Sequence, residues 1–395
     1  MAHNVLPAQV AARTELPATG RPAAIPWYIW ACAAAVTSSV IGGAWDISWH
    51  KSIGRDTFWT PAHIAIYLCG VLAGISCGYL ILSTTFRSSS ALREASVKIW
   101  GFRGPLGAFI CAWGAIAMIS SAPFDDWWHN AYGLDVKILS PPHVVLILGI
   151  LAVRFGTLLL ILGCMNRAQG GARGGLTALF LYIGAVIFTG SMGALQELTA
   201  RVYMHSALFY RVVSMVAPMI LIGVVRASEH RWASTILMGI YSALNLACIW
   251  ILPLFPAEPK LGPVYRQVTH FIPQEFPLLL IVPAVIIDLL WTRMPGWNKW
   301  LQAAAAGAAF LAGFVAVQWP FAGFLMSPAA RNWFFGTHYF PFFFPATSEY
   351  VRYVFSVVEK TTAEFWLGMA TALVAAIVST RLGLAWADWM RRLRR

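Results

Sequence analysis

Ten runs of about 20 mostly apolar residues, each long enough to cross a bilayer as a helix, constrain this chain more than any other feature. They lie near 26–45, 61–85, 105–123, 142–165, 175–196, 207–225, 232–254, 274–292, 300–325 and 363–386. Hydrocarbon offers no water to the peptide groups, so each run must satisfy its own backbone, which a helix does. The expected fold is therefore an all-α, polytopic membrane helix bundle of about 10 transmembrane helices. Only 11% of the 395 residues are charged, against about 25% in soluble domains, which excludes a string of soluble domains. The 19 tryptophans and 24 phenylalanines suit membrane interfaces and helix contacts. Gly70 with Gly74, and Gly307 among its alanines, allow close helix approach. All six cysteines fall in apolar runs without metal-finger spacing and read as packing residues.

Lys and Arg set the orientation. With an inside N-terminus, sixteen of the 28 fall on the cytoplasmic side, nine on the other, and Arg154, Arg211 and Arg381 within spans. Both termini are thus expected in the cytoplasm, and residues 1–24 read as a cytoplasmic tail and not a cleaved signal. The formal charge of +12 then reflects topology and contact with the lipid bilayer, and no nucleic acid partner is implied. The same topology puts seven of nine histidines (His50, His63, His129, His143, His205, His270 and His338) at or beyond outer span ends.

Four of these belong to a repeat. Asp46, Trp49, His50, Gly54, Asp56, Pro61 and His63 align with Asp125, Trp128, His129, Gly133, Asp135, Pro141 and His143, with one residue inserted before the second proline. Residues 26–85 and 105–165 are read as tandem two-helix repeats within an N-terminal part, 25–165. Four residues apart, Asp46 and His50 share a helix face. Pro61 suits a first helical turn and sets His63 just inside the next span, facing back across the loop. Asp46, His50 and His63 thus form one carboxylate-and-two-imidazole trio, and Asp125, His129 and His143 a second. Such donors suit copper, zinc or non-haem iron, and the donor set alone does not choose. Asp56 and Asp135 are expected as outer partners that orient the imidazoles.

The segment WDISWHKSIGRDTFWTPAH, residues 45–63, resembles the metal-site segment of the C subunit of copper-dependent membrane monooxygenases, the particulate methane and ammonia monooxygenase group. Asp46, Trp49, His50, Arg55, Asp56, Thr57, Pro61 and His63 match its pattern. Asp125, His129 and His143 match the spacing of that family's second trio, with Asp where the methane enzymes carry Asn. The resemblance covers residues 40–165. It implies copper, one or two ions, in a bacterial inner membrane with the metal sites toward the periplasmic face. It also implies further membrane subunits, O2 and a small apolar substrate that is hydroxylated. The rival readings are a divalent metal transporter and a non-catalytic metal-binding membrane subunit.

Residues 166–395 read as a six-helix membrane region with an aromatic outer loop, 327–362, that contains His338. Glu197, His205 and His270 are candidates to neighbour the metal region or to pair with Arg201 and Arg266. Arg154 and Asp288 are expected to face the bundle interior, paired with each other or with backbone carbonyls.

Overall fold

The computed structural model describes residues 25–87, 90–133, 140–262, 264, 268–337 and 355–393, with the backbone alone for 90 and 91. The expected tail 1–24, Asp135, Arg266, His338 and the centre of the aromatic loop lie outside the described residues. The helices are α1 (Trp27–Ser52), α2 (Pro61–Phe86), α3 (Ser90–Glu94), α4 (Leu106–Tyr132), α5 (Pro141–Met165) and α6 (Gly171–Ala194). After them come α7 (Ala207–Ser228), α8 (Ala233–Ile251), α9 (Ile281–Trp291), α10 (Lys299–Leu325) and α11 (Thr362–Met390). Among the described residues, nine helices are long and apolar enough to span a membrane. The chain is an all-α polytopic bundle.

The tandem units are two helical hairpins, α1–α2 and α4–α5, joined through contact between α2 and α4. Pro61 and Pro141 each open the second helix of a hairpin, where a missing N–H costs nothing. Within α4–α5 the backbones touch. A Cβ on Gly107 would lie 2.7 Å from the Leu160 amide, and one on Gly114 2.7 Å from the Gly149 carbonyl. The expected close approaches are present too: Gly70 and Gly74 face Met118 and Ala115 of α4, and Gly307 faces Ala376 of α11. Between the units, β1 (Val97–Ile99) and β2 (Phe102–Gly104) form a small antiparallel hairpin. It turns through Trp100 and Gly101, both at positive φ, at the bundle end opposite the histidines.

The eighth expected span, 274–292, needs correcting. Only Ile281–Trp291 is helical, and the chain before it is irregular. Pro273 and Pro277 each remove an amide and disfavour helix in the residue before them. The segment is nevertheless buried at Phe271, Ile272, Leu278 and Leu280. Its polar backbone is satisfied by side chains from three helices, as buried irregular chain in a membrane protein must be. Ser52 Oγ accepts from the Ile272 amide (2.7 Å), Tyr241 Oη from Leu278 (3.2 Å) and Gln318 Oε1 from Leu279 (2.9 Å).

The two interior charges are buried as expected, but their partners differ from those expected. Asp288 accepts from the amides of Ser234 (3.1 Å) and Thr235 (2.8 Å) and from the Thr235 hydroxyl, so it caps the start of α8. Arg154 donates to Ser39 Oγ at 3.2 Å. Both are buried, and they do not pair with each other.

Candidate metal centre

The first trio assembles at the end of the α1–α2 hairpin. Asp46 and His50 lie on the last turns of α1, His63 on the first turn of α2, and the connecting loop brings in Asp56. The His63 Nε2 lies 3.2 Å from Asp46 Oδ1 and 3.0 Å from Asp56 Oδ2. The His50 Nε2 lies 3.4 Å from Asp56 Oδ2 and 3.8 Å from Asp46 Oδ2. The centre therefore contains two carboxylates and two imidazoles, and Asp56 stands among the donors and not behind them. Burial by itself would raise the Asp56 carboxyl. The hydrogen bonds from His50 and His63 outweigh it and hold that carboxyl far below the usual carboxylate range.

The loop that turns Asp56 inward is fixed from outside the repeat. Gly54 adopts φ +100° with Gly262 against it, where an added Cβ would be 3.0 Å from that residue's carbonyl. The Leu261 amide bonds to the Ile53 carbonyl (3.0 Å), and Trp49 Nε1 donates to the Arg55 carbonyl (2.9 Å). Ser48 and Ser52 of α1 bind the carbonyl and amide of Ile272. Trp45 and Trp49 pack on the small cluster of Ile53, Ala257 and Phe271.

The second trio repeats the geometry on α4–α5. Asp125 lies two residues after Pro123, which interrupts the α4 ladder. Asp125 reaches His129 Nε2 at 3.4 Å and His143 Nε2 at 3.3 Å, with the two rings 6.1 Å apart. Tyr67, one turn along α2 from His63 and 6.0 Å from its ring, lies within electrostatic range of carboxylates from both centres. Its position between the centres follows from the packing of α2 on α4, which sequence spacing does not reveal.

Both trios fit a cation. Asp46 Oδ1 and Asp125 Oδ1 are buried and make no hydrogen bond among the described residues, although each faces an imidazole nitrogen at little over 3 Å. Buried acceptors are almost always satisfied, and convergent unsatisfied oxygens beside imidazole nitrogens suit a borderline metal ion. The other candidates make contacts of their own. The His205 ring is stacked between Trp319 (4.3 Å) and Phe355 (3.8 Å), with Nε2 3.0 Å from the Trp319 carbonyl, and burial pushes its pKa down. His270 is exposed beside Thr269, and Glu197 is exposed. It is Glu275, not Glu197, that accepts from the Arg201 amide (2.6 Å). A groove of about 770 Å³ between α1 and α6 is apolar and holds none of these donors.

No protein-family model, no curated protein and no solved structure matches the chain.

Proposed function

We propose that this chain is a copper-binding integral membrane subunit of a complex that uses O2 to hydroxylate a small apolar substrate. The observation that carries the reading is the pairing of Asp/His/His centres at the ends of two tandem hairpins, in the spacing of the monooxygenase C subunit. Asp46, Asp56, His50 and His63 would hold one ion, and Asp125, His129 and His143 a second. Bound copper supplies one-electron redox chemistry toward O2, and the hydroxylation balances only with two electrons from a reductant delivered by partner chains. The residues of this chain supply charge and geometry: Asp46 and Asp56 offset the ion's positive charge, and the His50 and His63 rings fix its position. Contacts from 261–272 hold the end of α1 and the loop that carries Asp56. The apolar substrate, arriving from the lipid, follows from the resemblance.

Isotope incorporation tests this reading. Membranes in which the chain is assembled with its co-purifying partners should transfer one atom of 18O2 to an added short-chain hydrocarbon. His50→Ala should abolish the transfer while the complex still assembles. The same chain alone in sealed vesicles should not accumulate copper. Copper uptake by the isolated chain, with no 18O transfer in the complex, would replace the enzyme reading with transport. Neither activity, with metal still bound, would leave a non-catalytic metal-binding subunit.

A further inference from the structure

Three cysteines from three different helices meet in the buried half of the tandem repeat farthest from the histidines. Cys32 of α1, Cys77 of α2 and Cys111 of α4 have Sγ atoms all within 4.8 Å of one another, and each residue is at most 1% exposed. The Cys32 Sγ lies 3.5 Å from Cys77 Sγ and 3.4 Å from Ser76 Oγ, and the Cys111 Sγ lies 3.6 Å from Thr157 Oγ1. All three are free thiols.

Their placement follows the repeat. Cys32 and Cys111 occupy the same position in the two units, as Asp46 and Asp125 do, and Cys77 corresponds to Thr157 as His63 corresponds to His143. Each of the four lies 14 residues along its helix from the matching outer donor, or about 20 Å at 1.5 Å per residue. The same four helices therefore carry two levels of donors, oxygen and nitrogen at one end and sulfur with one hydroxyl toward the other.

A buried cysteine is ordinarily a small packing residue, and Cys69 fits that description. The trio departs from it, because three sulfurs and two hydroxyls converge where close-packed apolar groups would serve packing better.

We propose that Cys32, Cys77 and Cys111 form a buried three-sulfur site for copper(I). Thiolates select soft ions, and three sulfurs fit trigonal copper(I), whereas a structural zinc site takes four donors. Each thiol that binds as thiolate gives its proton to solvent. The site does not depend on the outer centres being catalytic.

The test uses the full-length chain in detergent, stripped of metal and kept reduced without oxygen, in a His50→Ala/His129→Ala background that weakens the outer centres. Copper(I) is titrated against a chromophoric copper(I) chelator, and the first shell of the bound ion is read by X-ray absorption. One ion per chain with an all-sulfur shell is expected. Cys32→Ser and Cys111→Ser should each lose that ion, and Cys69→Ser should keep it. An ion with a shell of nitrogen and oxygen, no uptake at all, or full uptake by Cys111→Ser would overturn the proposal. So would a Cys32–Cys77 disulfide in the oxidised chain whose reduction restores no copper binding. If a serine variant does not elute as a monodisperse helical protein, the shell measured on unsubstituted cysteines decides.

Discussion

At the first centre two carboxylates face two imidazoles, and among the described residues the second centre has only Asp125 for the same task. An imidazole that hydrogen-bonds a carboxylate through Nε2 carries a proton there, so an ion that enters must displace it and binding releases protons. Asp56→Asn keeps the side-chain volume and removes the charge. We expect it to weaken metal retention at the first centre by about 10–100-fold, at least the effect of losing an outer partner, while the Asp125 centre is unchanged. Competition titration against a chelator measures both, and unaltered affinity at the first centre would remove Asp56 from the donor set. The six trio residues were readable from spacing because a four-residue step and a proline-started helix are local. The part played by Asp56 was not readable, since Gly262, some two hundred residues later, presses on the Gly54 turn that aims it.

At the scale of elements, close backbone contact and capping hold the donors in place. Gly114 has the Gly149 carbonyl and the Val153 amide within 2.8 Å of where a Cβ would sit. Gly114→Val should cost about 1–3 kcal/mol by overpacking and should disturb the second centre more than the first, as followed by thermal unfolding and metal content. Glu359 secures the start of α7 by accepting from the Ser206 hydroxyl (2.7 Å) and the Leu208 amide (3.0 Å). Burial raises its carboxyl, but the hydrogen bonds from Ser206, Leu208 and Ala207 outweigh that and leave it below its ordinary value. A depressed folded pKa means the contribution is present above the unfolded value of about 4.3 and fades as pH falls through the folded one. Glu359→Gln should therefore cost about 0.5–1 kcal/mol at neutral pH, discounted by solvent screening. The cost should shrink as the pH falls below the unfolded value and vanish only below the folded one, which unfolding across a pH series checks. Hydropathy located nine long helices but misread the eighth span. A window average counts Pro273 and Pro277 as ordinary residues, whereas the backbone cannot treat them so.

For the whole molecule, the two halves of the chain meet at one centre. The N-terminal repeat supplies every donor, and the irregular segment 268–280 locks the first hairpin through Ser48, Ser52 and Ile272. The tandem repeat and its two donor trios were legible from a matched offset along the chain. The convergence of the thiols and the lock from the C-terminal half were not, because both depend on which helices pack side by side. The central claim is that both Asp/His/His trios hold metal. The most direct measurement is metal content per chain after purification in copper-supplemented lipid, for the wild type, His50→Ala and His129→Ala. Each variant is expected to lose one ion that the wild type carries and to retain the other centre's. Wild-type chain without metal, or variants that keep all of it, would contradict the account and leave the two trios as structural ends of the hairpins.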